Sequence, residues 1–166
     1  MQAMVKEDEF FDRWGRGHIP DESDTQIKRV GAFSVLLSAG KILLVWPKSS
    51  PEVPELPGGG VDDGETLWQA LIREIAEETG LDLARPEVQP QLTQRVQFYA
   101  ENQNEYWHYD QFFYKLDGAA IDDLYFDGQQ ATPEDGVCQW IRLEDLADVN
   151  LHHMHRIALN RILSKG

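Results

Sequence analysis

The sequence predicts an α/β fold in which helices cover both faces of a β-sheet. Two observations support this prediction: runs of β-branched and aliphatic residues have strand length, and two longer segments have the apolar spacing of helices. Strands mixed with two main helices are typical of a sheet packed between helical layers. With 166 residues, of which 42% are hydrophobic, the chain is long enough to bury a core as one domain.

The strands are predicted from apolar runs that turn residues separate. Ser38, Ala39 and Gly40 divide the first two runs and indicate a hairpin. The polar residues 101–104 divide a second pair of runs, and the proline-rich residues 47–57 indicate a surface loop. The predicted strands cover residues 29–37, 41–46, 92–100, 106–116 and 137–141.

Two main helices are predicted. The first covers residues 66–79, with Thr66 as its N-cap and Gly80 placed to end it. The second is an amphipathic helix over residues 151–163, and residues 143–146 begin a turn or short helix before it. One helix therefore lies between the strands along the chain, and the other follows them.

Three carboxylates share one stripe of the first helix. At ~100° per residue, Glu74 and Glu78 lie one turn apart with Glu77 to the side, although like charges at this spacing destabilise a helix by roughly 0.2–0.5 kcal/mol per pair. Glu78 also falls beside the apolar sector of Leu71 and Ile75, where a carboxylate must be neutralised, paired or bound to a cation. Because hard divalent cations prefer oxygen ligands, the stripe predicts a metal site. A solvated acidic face is the alternative.

Turn residues precede this helix. Pro57 is followed by glycines at residues 58–60, which allow sharp turns close to a ligand. Asp62, Asp63 and Gly64 form a second turn. A glycine-rich loop followed by a helix with clustered acids is suited to binding phosphates and a metal together.

Residues 59–81 resemble the Nudix hydrolase box, a pattern of glycine, glutamate, arginine and aliphatic residues at fixed spacing. The resemblance extends over residues 28–166 and implies a Nudix-like α/β/α sandwich with a mixed β-sheet between helices. It also implies an enzyme that hydrolyses phosphoanhydrides. Every fixed position of the box is filled, by Gly59, Glu65, Arg73, Glu74, Ile75, Glu77, Glu78, Gly80 and Leu81.

Within the box, the resemblance implies a role for each charged residue. Glu74 and Glu78 resemble the main metal ligands, and Glu77 resembles a further ligand or the base that activates water. Arg73 resembles the arginine that orients the glutamates by ion pairing, and a surface salt bridge worth ~0–1 kcal/mol is the alternative. The expected ion is Mg²⁺, with Mn²⁺ as a substitute.

Other residues receive weaker assignments from the resemblance. Gly59 resembles the glycine that lets the backbone approach phosphate or metal, and Glu65 resembles an acid with a mainly structural role. Glu134 precedes the predicted strand of Trp140 and is a candidate catalytic base or further ligand, with an ordinary loop acid as the alternative. Asp135 is the fallback for that role.

Substrate contacts are less clearly marked than the metal site. Trp46 and Lys48 end the second predicted strand, where several relatives place an arginine that touches phosphate. Both are candidate substrate-binding residues, although a loop lysine facing solvent is the more frequent arrangement. Glu105 and Asp110 are weaker candidates for a catalytic role.

Aromatic and polar residues alternate at the start of the strand predicted over residues 106–116. By period two, Tyr106 and His108 share one face, and Trp107 and Tyr109 share the other. One pair is a candidate for stacking on a nucleobase, and core packing is the alternative.

Three histidines cluster at the start of the second helix. His152, His153 and His155 resemble a metal site only by their proximity in sequence. Because nitrogen ligands do not suit Mg²⁺, we expect these histidines to lie on the helix surface.

Composition excludes some classes of partner. A formal net charge of −14 disfavours binding to a nucleic-acid polymer or an anionic membrane, both of which attract basic surfaces. Cys138 is the single cysteine, so no intrachain disulfide is possible. Neither a leader-like apolar segment nor a run of ~18–20 apolar residues is evident, which predicts a soluble cytoplasmic protein.

The first residues differ in composition from the rest. Residues 1–28 are polar and acidic, but Phe10, Phe11 and Trp14 are clustered within them. We expect an N-terminal arm that docks on the body, residues 29–166, or on the second subunit of a homodimer. A free tail is the alternative.

The predicted function is metal-dependent hydrolysis of a small nucleotide-type substrate, in which a nucleoside diphosphate is linked to another moiety. Nucleotides, dinucleoside polyphosphates and nucleotide sugars fit this description. A non-catalytic nucleotide-binding module on the same fold is the alternative. An isomerase of isoprenoid diphosphates is disfavoured because its catalytic residue would be Cys138, which lies on a predicted core strand.

Overall fold

The computed structural model describes residues 7–83, 85–116, 130–132 and 136–164. Its helices are α1 (Leu67–Thr79) and α2 (His153–Ser164), and a 3₁₀ helix covers Leu143–Asp148. The strands are β1 (Phe10–Phe11), β2 (Gly17–His18), β3 (Gln26–Ser38), β4 (Lys41–Trp46), β5 (Gly58–Gly60), β6 (Leu92–Ala100), β7 (Glu105–Leu116), β8 (Gln130–Thr132) and β9 (Gly136–Arg142).

The strands of the described residues form a mixed sheet. Their order is β2-β1-β6-β7-β3-β4-β9-β8, and β5 pairs with β3 beside this path. β3 runs parallel to β7, and β1 runs parallel to β6. The remaining pairs are antiparallel, including the predicted hairpin of β3 and β4.

The two faces of the sheet pack against different helices. Because successive side chains of a strand point to opposite faces, alternate residues of β3 and β4 belong to different clusters. One cluster contains α2 and includes Phe33, Val35, Ile42, Leu44, Met154, Ala158, Leu159 and Ile162. The other contains α1 and includes Ala32, Leu36, Leu43, Val45, Trp68, Leu71 and Ile75. The predicted sandwich of helices around a mixed sheet is confirmed.

The predicted elements are confirmed with shifts at some ends. β4 and β6 have the predicted bounds. β3 begins earlier than predicted, at Gln26, because this residue pairs with Tyr106 of β7. α2 begins at His153, later than predicted: His152 lies just before it, and its carbonyl accepts a hydrogen bond from the N–H of Arg156 at 2.9 Å, which starts the helical pattern.

Capping interactions fix both ends of α1. The Thr66 hydroxyl accepts a hydrogen bond from the N–H of Gln69 at 3.1 Å, and the Gln69 side chain accepts one from the N–H of Thr66 at 2.9 Å. Gly80 has a φ of 77°, a left-handed conformation that glycine adopts without strain, and its N–H donates to the carbonyl of Ala76. Both predicted ends of this helix are therefore confirmed.

Residues 10–18 lie against the sheet of their own chain. Phe11 pairs with Phe98 of β6, and Phe10 is buried against the rings of Tyr106 and His108. The carboxylate of Asp12 accepts hydrogen bonds from the N–H groups of Trp14 and Arg16 and contacts His18 at 2.8 Å. The division of the chain into an arm of residues 1–28 and a body of residues 29–166 stays a prediction.

None of the helices within the described ranges has the length and apolar content that crossing a bilayer requires.

The capping box gives a test of how α1 is held. Replacing Thr66 by Ala is expected to lower the free energy of unfolding by about 1 kcal/mol, because the N–H of Gln69 loses its acceptor. Chemical denaturation measures the change. Thr66→Ser keeps the hydroxyl and serves as the control, so an equal loss for both variants would contradict the capping role.

Candidate active site

Glu78 lies on the buried side of α1, as its position beside Ile75 predicts. Its side chain is buried, and its Oε1 accepts a hydrogen bond from the N–H of Gly58 at 2.7 Å. A buried carboxylate requires such compensation. The bond also joins the last turn of the helix to the glycine-rich strand β5, so the metal-ligand candidate and the loop before the helix are held together.

Arg73 lies at the centre of a network of ion pairs. It donates to both carboxylate oxygens of Glu65, at 2.7 and 2.9 Å, and to Glu74 at 2.9 Å. It also reaches Glu77 at 3.4 Å and donates to the carbonyl of Gly60 at 3.0 Å. The number and geometry of these contacts exceed those of an isolated surface salt bridge and support the orienting role.

The same network shifts the pKa values of its members. The hydrogen bonds from Arg73, followed by the one from the N–H of Asp62, lower the pKa of Glu65 to about 2. In turn, the hydrogen bonds to Glu65 and, to a smaller extent, to Glu74 raise the pKa of the Arg73 guanidinium. Glu65 and Arg73 are therefore charged at neutral pH, and the attraction of Arg73 for the carboxylates around it offsets the repulsion among them.

Gly59 makes room for the carboxylate of Glu74. A Cβ atom at residue 59 would lie 2.6 Å from Cδ of Glu74 and 2.8 Å from each of its oxygens, closer than any real contact. At the neighbouring Gly60, a Cβ atom would meet nothing within 4 Å. The absence of a side chain at Gly59 therefore leaves the space that is occupied by the carboxylate of Glu74, one of the two main ligand candidates.

Glu55 is a site residue that the sequence analysis missed. It lines an open cleft together with Lys48, Gly58, Glu74 and Glu78. Backbone hydrogen bonds to Val45, at 2.8 and 2.9 Å, fix its place beside β4. The signal for it was an acid inside a proline-rich loop directly before the box, but a loop acid is ordinary without the tertiary contact.

Burial gives Glu55 an unusual ionisation. Burial, with a smaller contribution from the nearby Glu74, raises the pKa of this carboxyl to about 7 against the opposing attraction of Arg13. Proton binding at neutral pH therefore distinguishes Glu55 from the strongly acidic Glu65.

A cavity of about 180 Å³ continues from the cleft. Pro47, Ser49, Glu55 and Gly58 line both spaces. Its other walls include aromatic side chains, among them Trp107 and Tyr109 from one face of β7, and several polar groups. The cleft thus presents carboxylates and a lysine, while the adjoining cavity presents rings.

Trp107 and Tyr109 share the face that the alternation of β7 predicts, and Tyr106 and His108 share the opposite face. Phe10 packs edge-on against both Tyr106 and His108. Only the first pair lines the cavity, which makes it the pair available to a ligand.

The other predicted residues are placed differently. Lys48 lines the cleft, whereas Trp46 packs against the hydrophobic cluster of α2. Glu77 is exposed and is not among the described residues that line the cleft. Asp110 is paired with Arg95 at 2.6 Å. Two further predicted acids, Glu134 and Asp135, lie outside the described residues.

The prediction that the histidines lie on the helix surface is wrong for two of them. His152 and His155 are 5% and 2% exposed, and their rings stack at 4.5 Å between centroids. His155 shares a helix face with Leu159 and Ile162, which belong to the core, and this spacing directs it inward. His153 is only partly buried.

Burial keeps both inner histidines neutral. It lowers the pKa of His155 to about 3 and that of His152 well below its usual value, and the repulsion that a protonated His152 would meet from a protonated His155 and from Arg13 lowers the pKa of His152 further. Neutral rings at these positions can donate or accept hydrogen bonds but add no positive charge near the cleft.

The carboxylates suit a hard divalent cation. Within the described ranges, no group of three or more histidine, cysteine or acidic side chains is assembled into a metal site. Mg²⁺, however, is commonly held by one or two carboxylates together with substrate phosphates. Glu74 and Glu78, one helical turn apart in one cleft, provide such a pair.

Comparisons with known sequences agree with this geometry. The sequence model described as the NUDIX domain matches residues 26–163. Nudix hydrolase 10 of Arabidopsis thaliana is 33% identical over 99 residues, which cover 60% of this chain and 32% of that protein. Nucleoside triphosphatase NudI of Salmonella newport is 32% identical over 113 residues, covering 65% of this chain and 76% of that protein.

A solved structure shares the same fold. MutT NUDIX hydrolase from Burkholderia pseudomallei matches with a TM-score of 0.57 and 30% identity, covering 81% of this chain and 98% of that chain. By contrast, the chain spans about a third of the length of the plant relative. The match over the whole bacterial structure supports the mixed sheet and helices described above.

The ionisation of Glu55 predicts a pH-dependent stability. Its folded pKa of about 7 lies above its ordinary value of 4.5, so the wild-type protein loses stability as the pH rises through this interval. Glu55→Gln is expected to remove the loss and to raise the free energy of unfolding of the metal-free protein by about 1–3 kcal/mol at pH 8, with little change at pH 4.

Urea denaturation in EDTA at several pH values measures this difference. Glu52→Gln, at an exposed position of the same loop, is the control and is expected to show no pH-dependent change. A Glu55→Gln effect that is constant with pH would contradict the assignment.

Proposed function

The chain belongs to the NUDIX family, and from this premise we propose that it hydrolyses a phosphoanhydride bond in a nucleotide-type substrate with Mg²⁺, for which Mn²⁺ can substitute. The substrate is a nucleoside diphosphate linked to another moiety, such as a phosphate, a second nucleotide or a sugar. The observation that carries the proposal is the pair Glu74 and Glu78 in a cleft shared with Lys48 and continuous with an aromatic-lined cavity.

Glu74 and Glu78 would hold the metal ion. When bound, the ion neutralises charge on the phosphate oxygens and lowers the pKa of a coordinated water. Glu74 is oriented by Arg73, and Glu78 by the N–H of Gly58, so both carboxylates are positioned before the substrate binds. Such preorganisation avoids the cost of ordering these side chains during the reaction.

The remaining charged residues act on the water and the substrate. Glu77 lies near Arg73 and is proposed as a further ligand or as the base that takes the proton of the attacking water. Lys48 is proposed to bind a phosphate, which matters in a chain whose net charge of −14 repels anions. Glu134 stays a candidate for a second base from its sequence position alone.

The aromatic cavity is proposed to hold the nucleoside portion. Trp107 and Tyr109 provide ring surfaces on which a base can stack, at a site that opens into the carboxylate cleft through Glu55 and Gly58. The diphosphate would then extend from the cavity towards Glu74 and Glu78.

Glu78→Gln is expected to reduce kcat/KM for Mg²⁺-dependent hydrolysis at least a hundredfold, about 2.7 kcal/mol of transition-state stabilisation, because a ligand charge is lost. Chromatographic measurement of the nucleotide products formed from a panel of nucleoside triphosphates, dinucleoside polyphosphates, ADP-ribose and nucleotide sugars gives the rate. Glu52→Gln removes an exposed acid and is the control. Wild-type turnover of Glu78→Gln would contradict the metal role, and binding without hydrolysis by the wild type would identify a non-catalytic module.

Gly59→Ala is expected to lower kcat/KM at least tenfold while the fold is retained, because the added Cβ atom displaces the carboxylate of Glu74. Gly60→Ala adds the same methyl group where nothing lies within 4 Å and is expected to retain activity. Steady-state kinetics and far-ultraviolet circular dichroism of the two variants make the comparison. Equal activity of the two would show that the space at Gly59 has no catalytic importance.

A further inference from the structure

The cavity beside the carboxylate cleft has the size and the walls to hold an aromatic ring. Its volume of about 180 Å³ is comparable to the ~150 Å³ of an apolar cavity that takes up benzene. Phe33, Phe98, Trp107 and Tyr109 supply aromatic walls. Arg13, which is paired with Ser50 and Glu101, is a buried polar part of the lining, and three further buried polar side chains interrupt the rings: Gln111, His152 and His155. The hydrogen bonds of these three side chains determine what the cavity can recognise.

A chain of hydrogen bonds orients the amide of Gln111. Nε2 of Gln94 donates to the carbonyl of Met154 at 3.1 Å and to Oε1 of Gln111 at 2.9 Å. A carbonyl can only accept, so Gln94 must present its NH₂ group here, and Gln111 must present its oxygen to Gln94. The NH₂ group of Gln111 has no acceptor among the described residues and is left as a donor for a ligand.

Backbone N–H groups fix the protonation of the two histidines in the same way. The N–H of Leu56 donates to Nδ1 of His155 at 3.0 Å, and the N–H of Met154 donates to Nδ1 of His152 at 3.2 Å. Because a backbone N–H only donates, both Nδ1 atoms are acceptors, and each neutral ring carries its proton on Nε2. No described residue accepts either Nε2–H, so both are available as donors.

We propose that Gln111, His152 and His155 form a donor array that selects an oxo nucleobase over the matching amino nucleobase, which carries an exocyclic amino group at the ring position where the oxo base carries a carbonyl oxygen. This inference rests on the proposed function, because it concerns the nucleoside portion of that substrate. A carbonyl oxygen or an unprotonated ring nitrogen satisfies a buried donor. An exocyclic amino group opposes a donor with another donor, and leaving a buried donor unsatisfied weakens binding.

Glu55, on the cleft side of the cavity, can supply a hydrogen-bond acceptor for the same base. An oxo base carries a ring N–H beside its carbonyl, and Glu55 lines both the cavity and the cleft. Its carboxyl group offers an acceptor to that N–H. The cavity would therefore match the paired acceptor and donor of a lactam.

Nucleosides test the selection independently of hydrolysis. Inosine is compared with adenosine, and uridine with cytidine, by NMR titration of the metal-free protein, so that each pair differs in its base edge but not in ring size. The expected dissociation constants are at least tenfold lower for inosine and uridine. Equal affinities, a preference for the amino bases, or no binding of any nucleoside would overturn the inference. A protein that binds in this way but hydrolyses no nucleotide would contradict only the proposed function.

Gln111→Glu tests the array by replacing the NH₂ group with an oxygen acceptor of the same size. The ratio of inosine to adenosine affinity is expected to fall at least tenfold. Gln91→Glu adds the same charge at an exposed position of the neighbouring segment and is expected to keep the wild-type ratio. An unchanged ratio in a folded Gln111→Glu variant would overturn the inference.

The histidine protonation is measured in the wild-type protein, without any variant. In ¹⁵N-labelled protein, two-bond ¹H–¹⁵N correlations of the imidazoles are expected to show His152 and His155 neutral and protonated on Nε2 at pH 7. Addition of inosine is expected to shift both Nε2 resonances, and adenosine is expected to shift them less. A proton on Nδ1 of either ring would overturn the inference.

Discussion

The candidate site depends on the ion pairs of Arg73. A chain with a net charge of −14 places three carboxylates on one stripe of α1, where their repulsion would otherwise oppose the helix. Arg73 offsets that repulsion, and through Glu65 and the carbonyl of Gly60 it ties the helix to the loop before it. The position of Glu74, and with it the space required at Gly59, follows from this attachment.

Hydrogen bonds to buried side chains connect α1 with the cavity beside the cleft. Glu78 is bonded to the N–H of Gly58, and His155 is bonded to the N–H of Leu56. The same short segment thus connects α1 on one face of the sheet with α2 on the other. Because a buried polar group left unpaired is costly, these bonds restrict both helices to one position relative to the cleft.

Sequence reasoning predicted what depends on neighbours along the chain. The caps of α1, the burial of Glu78 and the two faces of β7 follow from local spacing, and the structure has them as predicted. It failed for His155, whose spacing with Leu159 and Ile162 was compatible with the core but whose polarity favoured the surface. It also missed Glu55, because nothing in a proline-rich loop indicates which of its acids lines the cleft.

The sequence by itself determined the box, its helix and the identity of the acids that face one another there, since these residues interact within a few turns of one chain segment. Only the tertiary structure decided which distant groups join them. Leu56 and His155 are separated by 99 residues, and Gln94 and Met154 by 60, yet each pair is hydrogen-bonded. Periodicity fixes where a side chain points from its own element, whereas such contacts depend on how the helices pack on the sheet.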